Sequence, residues 1–409
     1  MTWTNKTIGD WADVIGGGTP STRATEFWGG DIPWFTPGEI PESGAGIVRN
    51  SNRLITKAGL ARSAAKMLPV GSVLVTSRAS IGNCAIAGVP MATNQGFTSL
   101  VPKDSRSSLF LYYWVQQNRH QFLSRSAGST FLEISVSKVR DIEISSPGLP
   151  EQAAIGEAIA DADHLITTLE RLIAKKQAIK QGMMQQLLTG RTRLPGFTSE
   201  WTDIRLGDHV SYVKTVALSR AQLDAKSPLK YLHYGDIHTR SSVLLDAVAE
   251  EMPRASAFLA GRAGQLRCGD LVFADASEDP AGVGKSVEIV DVPSGGVVPG
   301  LHTIAARFDK SVLADGFKAY LQFIPSFREQ LLRLAAGTKV LATTRSYISS
   351  VILALPDVTE QKAIADVLHD SEREIDALRV RLSKARDMKT GMMQQLLTGR
   401  TRLQVEAVS

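Results

Sequence analysis

A letter-for-letter duplication constrains this chain more than any other feature. The segment GMMQQLLTGRTRL stands at Gly182–Leu194 and again at Gly391–Leu403. The match continues upstream at the same offset, where Glu151-Gln152 aligns with Glu360-Gln361. A second pair of similar segments, WTNKTIGD and WTDIRLGD, opens each half of the chain. Only two copies occur, about 200 residues apart, so the pattern predicts two domains of one fold and excludes a solenoid.

The repeated segments have the periodicity of helices. Their apolar residues recur at spacings of mostly three and four, and no proline interrupts them. Pro150 and Pro356 stand at their starts, and Gly190 and Gly399 follow their last apolar residues, as is typical of helix ends. Each helix is predicted to have about 40 residues and a length of about 60 Å. A helix that long with one narrow apolar stripe needs a partner, so we expect an intramolecular antiparallel coiled coil, with packing on an ordinary domain core as the alternative.

The segments between the repeats have the pattern of compact α+β domains. Buried strands are predicted within Gly71–Gly88 and Gly269–Ala276, where apolar runs are bounded by turn residues. Helices are predicted within Ser107–Leu123 and Gly316–Ala335, the latter interrupted at Pro325.

The predicted fold class is therefore α+β, with two globular domains joined by two long helices and a pseudo-two-fold internal repeat. Gly182 and Gly391, inside the helices, are expected to mark a kink or a close helix–helix contact. The predicted boundaries are a first domain at 1–149, a first helix and linker at 150–200, a second domain at 201–357, and a second helix with a C-terminal tail at 358–409.

The composition excludes several classes of protein. Cys84 and Cys268 lie far apart and form no CxxC pair, which argues against a disulfide framework or a zinc site and fits a reducing cytoplasm. No apolar run reaches the roughly 18 residues of a membrane span, and the N-terminus lacks a signal pattern. The net charge of +5 is too small to indicate a nucleic-acid partner by itself.

The order of motifs resembles a known family. The first half carries IGGGTPSTRATEFWGGDIPWFTPGEI at Ile15–Ile40, followed by SRASIGNCAI and TNQGF. The second half carries YLHYGDIHT at Tyr231–Thr239 and PGLHTIAARF at Pro299–Phe308, and both halves close with MMQQLLTGR. Over nearly its full length, the chain resembles the specificity subunit of bacterial type I restriction-modification systems.

The resemblance implies a non-catalytic subunit that binds a bipartite, asymmetric sequence in double-stranded DNA. One half-site would be read by each domain, with the helices as a ruler between them. Two modification (methyltransferase) subunits would dock on the chain, and two restriction (motor-nuclease) subunits could add cleavage. S-adenosylmethionine, ATP and magnesium would belong to those partners, so no cofactor or metal site is expected here. The alternatives are a coiled-coil scaffold without DNA specificity and an unrecognised DNA-modifying enzyme.

Side chains that could contact DNA are polar residues in the predicted loops, because such groups match the donors and acceptors of base edges. In the first domain they are Thr19, Ser21, Arg23, Arg78, Ser80, Asn94, Gln95, Ser129 and Thr130. In the second domain they are Lys214, Tyr234, Asp236, His238, Lys285, His302, Lys339, Thr343, Thr344 and Arg345. The alternative for each is a solvated or turn-stabilising role, and for Asp236 in particular a turn-former.

Partner subunits are expected to dock near the ends of the repeated helices. The residues proposed for this face are Gln185, Gln186, Arg191, Gln394, Gln395 and Arg400. Arg193 and Arg402 could contact phosphates or partners in the same way. Alternatively, the glutamines are merely solvated and the arginines complement the negative helix C-termini.

One segment is a misleading motif. DPAGVGKS at Asp279–Ser286 is similar to the end of a phosphate-binding loop, but Asp279 stands where the first glycine is required. No helical pattern follows, so nucleotide binding is not predicted there.

Overall fold

The computed structural model describes residues 3–128, 132–277, 279–335 and 341–404. The chain divides into two compact units, which we call unit 1 (Met1–Arg171 with Arg379–Ser409) and unit 2 (Leu172–Leu378). Among the residues described, no helix is both long enough and apolar enough to cross a membrane.

The elements of the first half follow the predicted α+β pattern. Its helices are α1 Ile8–Trp11, α2 Lys57–Ala61, α3 Ser108–Gln117, α4 Arg119–Ser124, α5 Val136–Arg140 and the long α6 Leu149–Leu187. Its strands are β1 Thr4–Thr7, β2 Ala12–Gly16, β3 Trp28–Phe35, β4 Ile47–Val48, β5 Leu54–Ile55, β6 Val73–Val75, β7 Cys84–Ala87, β8 Ala92–Thr93, β9 Thr98–Pro102 and β10 Glu143–Ser146.

The second half repeats this pattern. Its helices are α7 Tyr234–His238, α8 Ala257–Ala260, α9 Pro325–Ala335, α10 Arg345–Ser350 and the long α11 Val358–Leu396. Its strands are β11 Thr202–Arg205, β12 Val210–Val213, β13 Lys230–Leu232, β14 Leu244–Asp246, β15 Leu271–Ala274, β16 Ala276–Ser277, β17 Ser286–Asp291, β18 Val297–Pro299, β19 Thr303–Phe308, β20 Leu341–Ala342 and β21 Ile352–Leu355.

The two halves share one sheet topology. The main sheet has the order β2-β9-β6-β7-β4 in unit 1 and β12-β19-β15-β17-β14 in unit 2. In both sheets only the last pair, β4 with β7 and β14 with β17, is parallel. Each unit also has a separate parallel pair, which is β3 with β8 in unit 1 and β13 with β18 in unit 2. Each has an antiparallel pair as well, which is β1 with β10 in unit 1 and β11 with β21 in unit 2. The duplicated helices therefore flank two copies of one fold, as predicted.

The predicted elements within these domains are confirmed. Strands β6 and β7 lie in Gly71–Gly88, and β15 lies in Gly269–Ala276. The predicted helix at Ser107–Leu123 is split at Asn118 into α3 and α4. Pro325 begins α9 after a 3₁₀ segment, because proline is tolerated in a first helical turn but not in a helix interior.

Both long helices have 39 residues and contribute to the core of each unit. In unit 1, Ile155 and Ile159 of α6 are buried with Leu396 and Leu397 at the end of α11. In unit 2, the duplicates of these residues lie on the other helix of the pair: Ile364 and Leu368 of α11 are buried with Leu187 and Leu188 at the end of α6. The antiparallel pairing predicted from the apolar stripe is therefore confirmed.

Ion pairs between the helices repeat with the same offset as the sequence. In unit 1, Lys389 Nζ lies 2.6 Å from Asp163 Oδ1 and Arg386 lies 2.6 Å from Glu170. In unit 2, Lys180 pairs with Glu372, which are the duplicates of Lys389 and Asp163. The charges flanking the apolar stripe thus fix an antiparallel register in each unit.

Each long helix is followed, three residues after its end, by a glycine in the left-handed region. Gly190 has φ 69° and Gly399 has φ 71°, so both form the predicted C-terminal cap. A Cβ at Gly190 would meet the ring of Trp201, and one at Gly399 would meet the ring of Trp3 at 2.9 Å. The two tryptophans of the opening WT motifs therefore pack on the ends of the duplicated helices.

The expected close contact at Gly182 and Gly391 is wrong. An added Cβ at either position would find no atom within 4 Å, and both helices run through the glycine without interruption. These glycines therefore lower helix propensity without serving packing within this chain.

Alanine at both positions should stabilise the protein. We expect Gly182→Ala and Gly391→Ala each to raise the free energy of unfolding by about 0.5–1 kcal/mol, because alanine orders its backbone at a lower entropic cost. The urea midpoint of each single variant and of the double variant measures the effect. A lower midpoint in either single variant would contradict the open space seen at these sites.

Candidate nucleic-acid interface

Four loops meet at one edge of unit 1. They span 36–39, 76–83, 94–97 and 132–135, and backbone hydrogen bonds tie them together. Asn94 N–H donates to Phe35 O at 2.9 Å, and Ser77 N–H donates to Gly96 O at 2.7 Å. Ile134 N–H donates to Ser77 O at 3.1 Å and brings in the fourth loop.

Unit 2 has the same four loops in the same bonding scheme, at 233–236, 275–285, 300–302 and 341–344. Gly300 N–H donates to Leu232 O at 2.8 Å, and Asp275 N–H donates to His302 O at 3.1 Å. Thr343 N–H donates to Asp275 O at 2.6 Å. We call this arrangement the four-loop edge of each unit. The two edges have the same scheme of backbone hydrogen bonds, whereas the side chains that they present differ.

The glycine run brings Thr19 to the four-loop edge of unit 1. Gly18 N–H donates to Thr93 O at 2.9 Å, and a Cβ at Gly17 would collide with the backbone of the 94–97 loop. This close approach, which only glycine permits, lets the Thr19 hydroxyl donate to Gln95 Oε1. Thr19 and Gln95 are both exposed, so they form one polar pair on the surface.

The other candidates of unit 1 divide into surface groups and turn-formers. Arg78 is part-exposed and forms a 2.8 Å ion pair with Glu133 of the neighbouring loop. Asn94 Oδ1 accepts from Gly96 N–H at 2.8 Å, which is the turn-stabilising role given as its alternative. The remaining candidates described here are Ser80, which is half-buried, and Ser21 and Arg23, which are exposed.

Aromatic and imidazole rings dominate the four-loop edge of unit 2. The ring centroid of Tyr234 lies 4.5 Å from that of His233, 5.3 Å from that of His302 and 6.0 Å from that of His238. His302 Nδ1 lies 3.1 Å from Asp275 Oδ1. The fold therefore brings the distant candidate His302 to Tyr234, which also lies near the candidate His238.

Polar contacts behind these rings hold the loops in place. Lys285 Nζ donates to His238 O at 2.5 Å, and His238 Nε2 lies 2.9 Å from Ala276 O. Asp236 accepts from His233 N–H at 3.0 Å and caps α7, which agrees with its alternative as a turn-former. Of this set, Tyr234 and His302 are the side chains best placed for an external ligand.

Burial disfavours the charged forms of two groups at this edge. It lowers the pKa of His233, whose Nδ1 accepts from Gly235 N–H at 3.1 Å and must be unprotonated there. Burial also lowers the pKa of the Lys285 ammonium. The rings of this edge offer groups for hydrogen bonding and stacking.

Four further candidates lie outside the group of rings, although Thr343 and Thr344 belong to the fourth loop of the same edge. Lys214 is exposed just after β12, and Arg345 lies over the Tyr212 ring at 5.5 Å. Thr344 caps α10 by accepting from Tyr347 N–H at 3.2 Å. The prediction of a DNA contact for Thr343 is corrected. This residue is only 5% exposed, so it is removed from the proposed DNA contacts. Ser129, Thr130 and Lys339 lie outside the described residues.

The candidate partner face is exposed near the helix ends. Its residues Gln185, Gln186, Arg191, Gln394, Gln395 and Arg400 all remain accessible. In the structure, Arg193 and Arg402 each form an ion pair with a buried glutamate. Arg193 binds Glu360 through two nitrogens, and Arg402 binds Glu151 in the same manner at 2.7 and 2.5 Å.

These ion pairs and the Asp275 contact were missed at the sequence level. Asp275 stands in no motif, and it meets His302 only through the fold. The glutamate–arginine pairs had a usable signal, since Glu151 and Arg402 recur as Glu360 and Arg193 at the duplication offset.

The glycine-rich Asp279–Ser286 segment is not a phosphate-binding loop. Asp279 caps a short 3₁₀ segment, Pro280–Gly282, and Ser286 begins strand β17 where such a motif requires a helix. The prediction against nucleotide binding rests on the same two features.

Comparison with known proteins relates the first part of the chain to a family. The model for the type I restriction modification DNA specificity domain matches residues 1–181. The MjaIX specificity subunit of Methanocaldococcus jannaschii is 40% identical over 166 residues, which are 40% of this chain and 38% of that protein. Over these residues, the chain is similar to type I restriction specificity subunits.

Two further specificity subunits extend the comparison. The EcoR124I/EcoR124II subunit of Escherichia coli is 27% identical over 183 residues, 43% of this chain and 45% of that protein. The matches thus span less than half of these two curated relatives. The type I S subunit of M. genitalium has the same fold over 96% of both chains, with a TM-score of 0.57 at 13% identity. The full-length fold and the family match therefore agree.

Proposed function

We propose that this chain is the non-catalytic specificity subunit of a type I restriction-modification complex and reads a bipartite, asymmetric DNA sequence. Each four-loop edge reads one half-site. The observation that carries the proposal is the pair of edges with one backbone scheme and unrelated side chains, Thr19 with Gln95 in unit 1 and Tyr234 with His302 in unit 2. Because the two edges carry different side chains on the same backbone arrangement, they should recognise different bases.

The long helices act as the spacer between the half-sites and as the docking face for partners. Their duplicated sequences give an asymmetric chain two similar surfaces, one for each of two modification subunits, and two restriction subunits join the same complex. The catalytic cofactors, S-adenosylmethionine, ATP and magnesium, are held by those subunits. The complex works in the cytoplasm, where chromosomal DNA is accessible.

A chain with two copies of the first domain tests this proposal. Residues 3–146 replace residues 201–355, because Thr4 pairs with Ser146 as Thr202 pairs with Leu355, and the junctions are therefore equivalent. With its methyltransferase partner, this chimera should modify an inverted repeat of the first half-site. Sequencing of methylated adenines in cells that express it gives the target.

The natural chain, expressed with the same partner, is the control and should give an asymmetric target. A folded, active chimera that still modifies the asymmetric target would overturn the proposal. Methylation or cleavage by the purified chain alone would show that the chain is an enzyme.

A further inference from the structure

His302 stands on a loop of defined backbone geometry. Its φ of 57° lies in the left-handed region, which histidine enters more often than most residues with a side chain. The loop is held on both sides, by Gly300 N–H to Leu232 O and by Asp275 N–H to His302 O. The same bonds in unit 1 place Gly96 at the equivalent position. Unit 2 therefore presents an imidazole where its counterpart has no side chain.

The side chain of His302 is oriented and accessible. It is 50% exposed, and its Nδ1 lies 3.1 Å from Asp275 Oδ1. The Tyr234 ring meets it edge-on at an interplanar angle of 82°. Because a carboxylate only accepts hydrogen bonds, Nδ1 carries a proton, and the free nitrogen of a neutral His302 is Nε2 with a lone pair.

We propose that His302 is a specificity-determining residue, which reads one base of the second half-site through Nε2, and that Asp275 is its positioning residue. This rests on the proposed DNA-reading function. A neutral Nε2 accepts from the amino group of adenine or cytosine in the major groove.

The equivalent loop of unit 1 carries Asn94, Gln95 and Gly96 and has no imidazole. A base contact through an imidazole Nε2 at this position is therefore expected in the second half-site only.

The test uses the chain assembled with its methyltransferase partner and a DNA library in which both half-sites are randomised. The bound fraction is sequenced. In the natural complex, one position of the second half-site should prefer adenine or cytosine, the bases that carry an amino group in the major groove.

The main variant is His302→Gly, which accepts the left-handed backbone and therefore folds. It should lose about tenfold discrimination at that one position, the cost of one mismatched contact. Asp275→Asn should weaken discrimination at the same position, because an amide no longer fixes the tautomer. The matched control, Gln95→Ala, should alter only the first half-site.

The outcomes separate this inference from the proposed function. A complex with no sequence preference in either half-site would refute the function itself. A complex that reads both half-sites, but in which His302→Gly leaves the preference at every position unchanged, would overturn the role of His302 alone.

Discussion

Removing seven residues from each long helix, Ala174–Lys180 and Glu372–Leu378, should shorten the unspecified gap between the two half-sites by roughly three base pairs. Seven residues are two helical turns and about 10 Å at 1.5 Å per residue, and base pairs are stacked about 3.4 Å apart. Because two full turns are removed, the apolar stripe of each helix keeps its phase. The two segments face each other, since Lys176 pairs with Glu374 at 2.7 Å, so the deletions remove charges as pairs.

Methylated-adenine sequencing of cells that carry the doubly shortened chain and its partner gives the new gap. The control is a chain that lacks only Ala174–Lys180. It should lose modification, because one helix is shortened while the other retains Glu372 and Glu374 without the lysines that pair with them. An active, doubly shortened chain with the original gap would exclude the helices as the spacer.

Replacing Arg193 by alanine should lower the free energy of unfolding of unit 2 by about 3 kcal/mol, because it leaves a buried carboxylate without a counter-charge. The Glu360 side chain is 1% exposed and binds Arg193 through both carboxylate oxygens. The guanidinium also lies over the Trp201 ring at 5.7 Å. Denaturant unfolding, followed by tryptophan fluorescence, measures the loss.

Two comparisons identify the cause. The double variant Arg193→Met with Glu360→Leu should recover most of the loss, since it removes both charges together. Arg402→Ala, at the duplicated position in unit 1, should cost less, about 1–2 kcal/mol, because Arg402 is more exposed and water screens its pair with Glu151. Equal losses in the single and double variants would show that the ion pair is not the cause.

The second pair also has a pH dependence of known sign. Hydrogen bonds from Arg402 lower the pKa of Glu151 below the ordinary value of 4.5 for a glutamate. The stability that this pair contributes is therefore complete above pH 4.5 and is lost as the pH falls through the lower pKa of the folded state. The Arg402→Ala variant should lack this part of the acid sensitivity.

The sequence alone determined the architecture, because the signals that encode it are local or repeated. Spacings of three and four residues indicated α6 and α11, the glycines after them indicated left-handed caps, and the duplication indicated two domains of one fold. Pro325 separated the preceding 3₁₀ segment from α9, because a proline ring is not tolerated in a helix interior. Each of these effects acts within a few residues along the chain.

Only the tertiary structure decided which side chains meet. Asp275 and His302 become partners because β15 and β19 are neighbours in a sheet, and Glu151 reaches Arg402 because two helices lie antiparallel within unit 1. Burial was decided at the same level: Thr343 and Thr344 are adjacent and chemically identical, yet the first is enclosed and the second is exposed. Local patterns fix periodicity and chain reversal, whereas contacts and burial depend on packing between distant segments, which spacing along the chain does not encode.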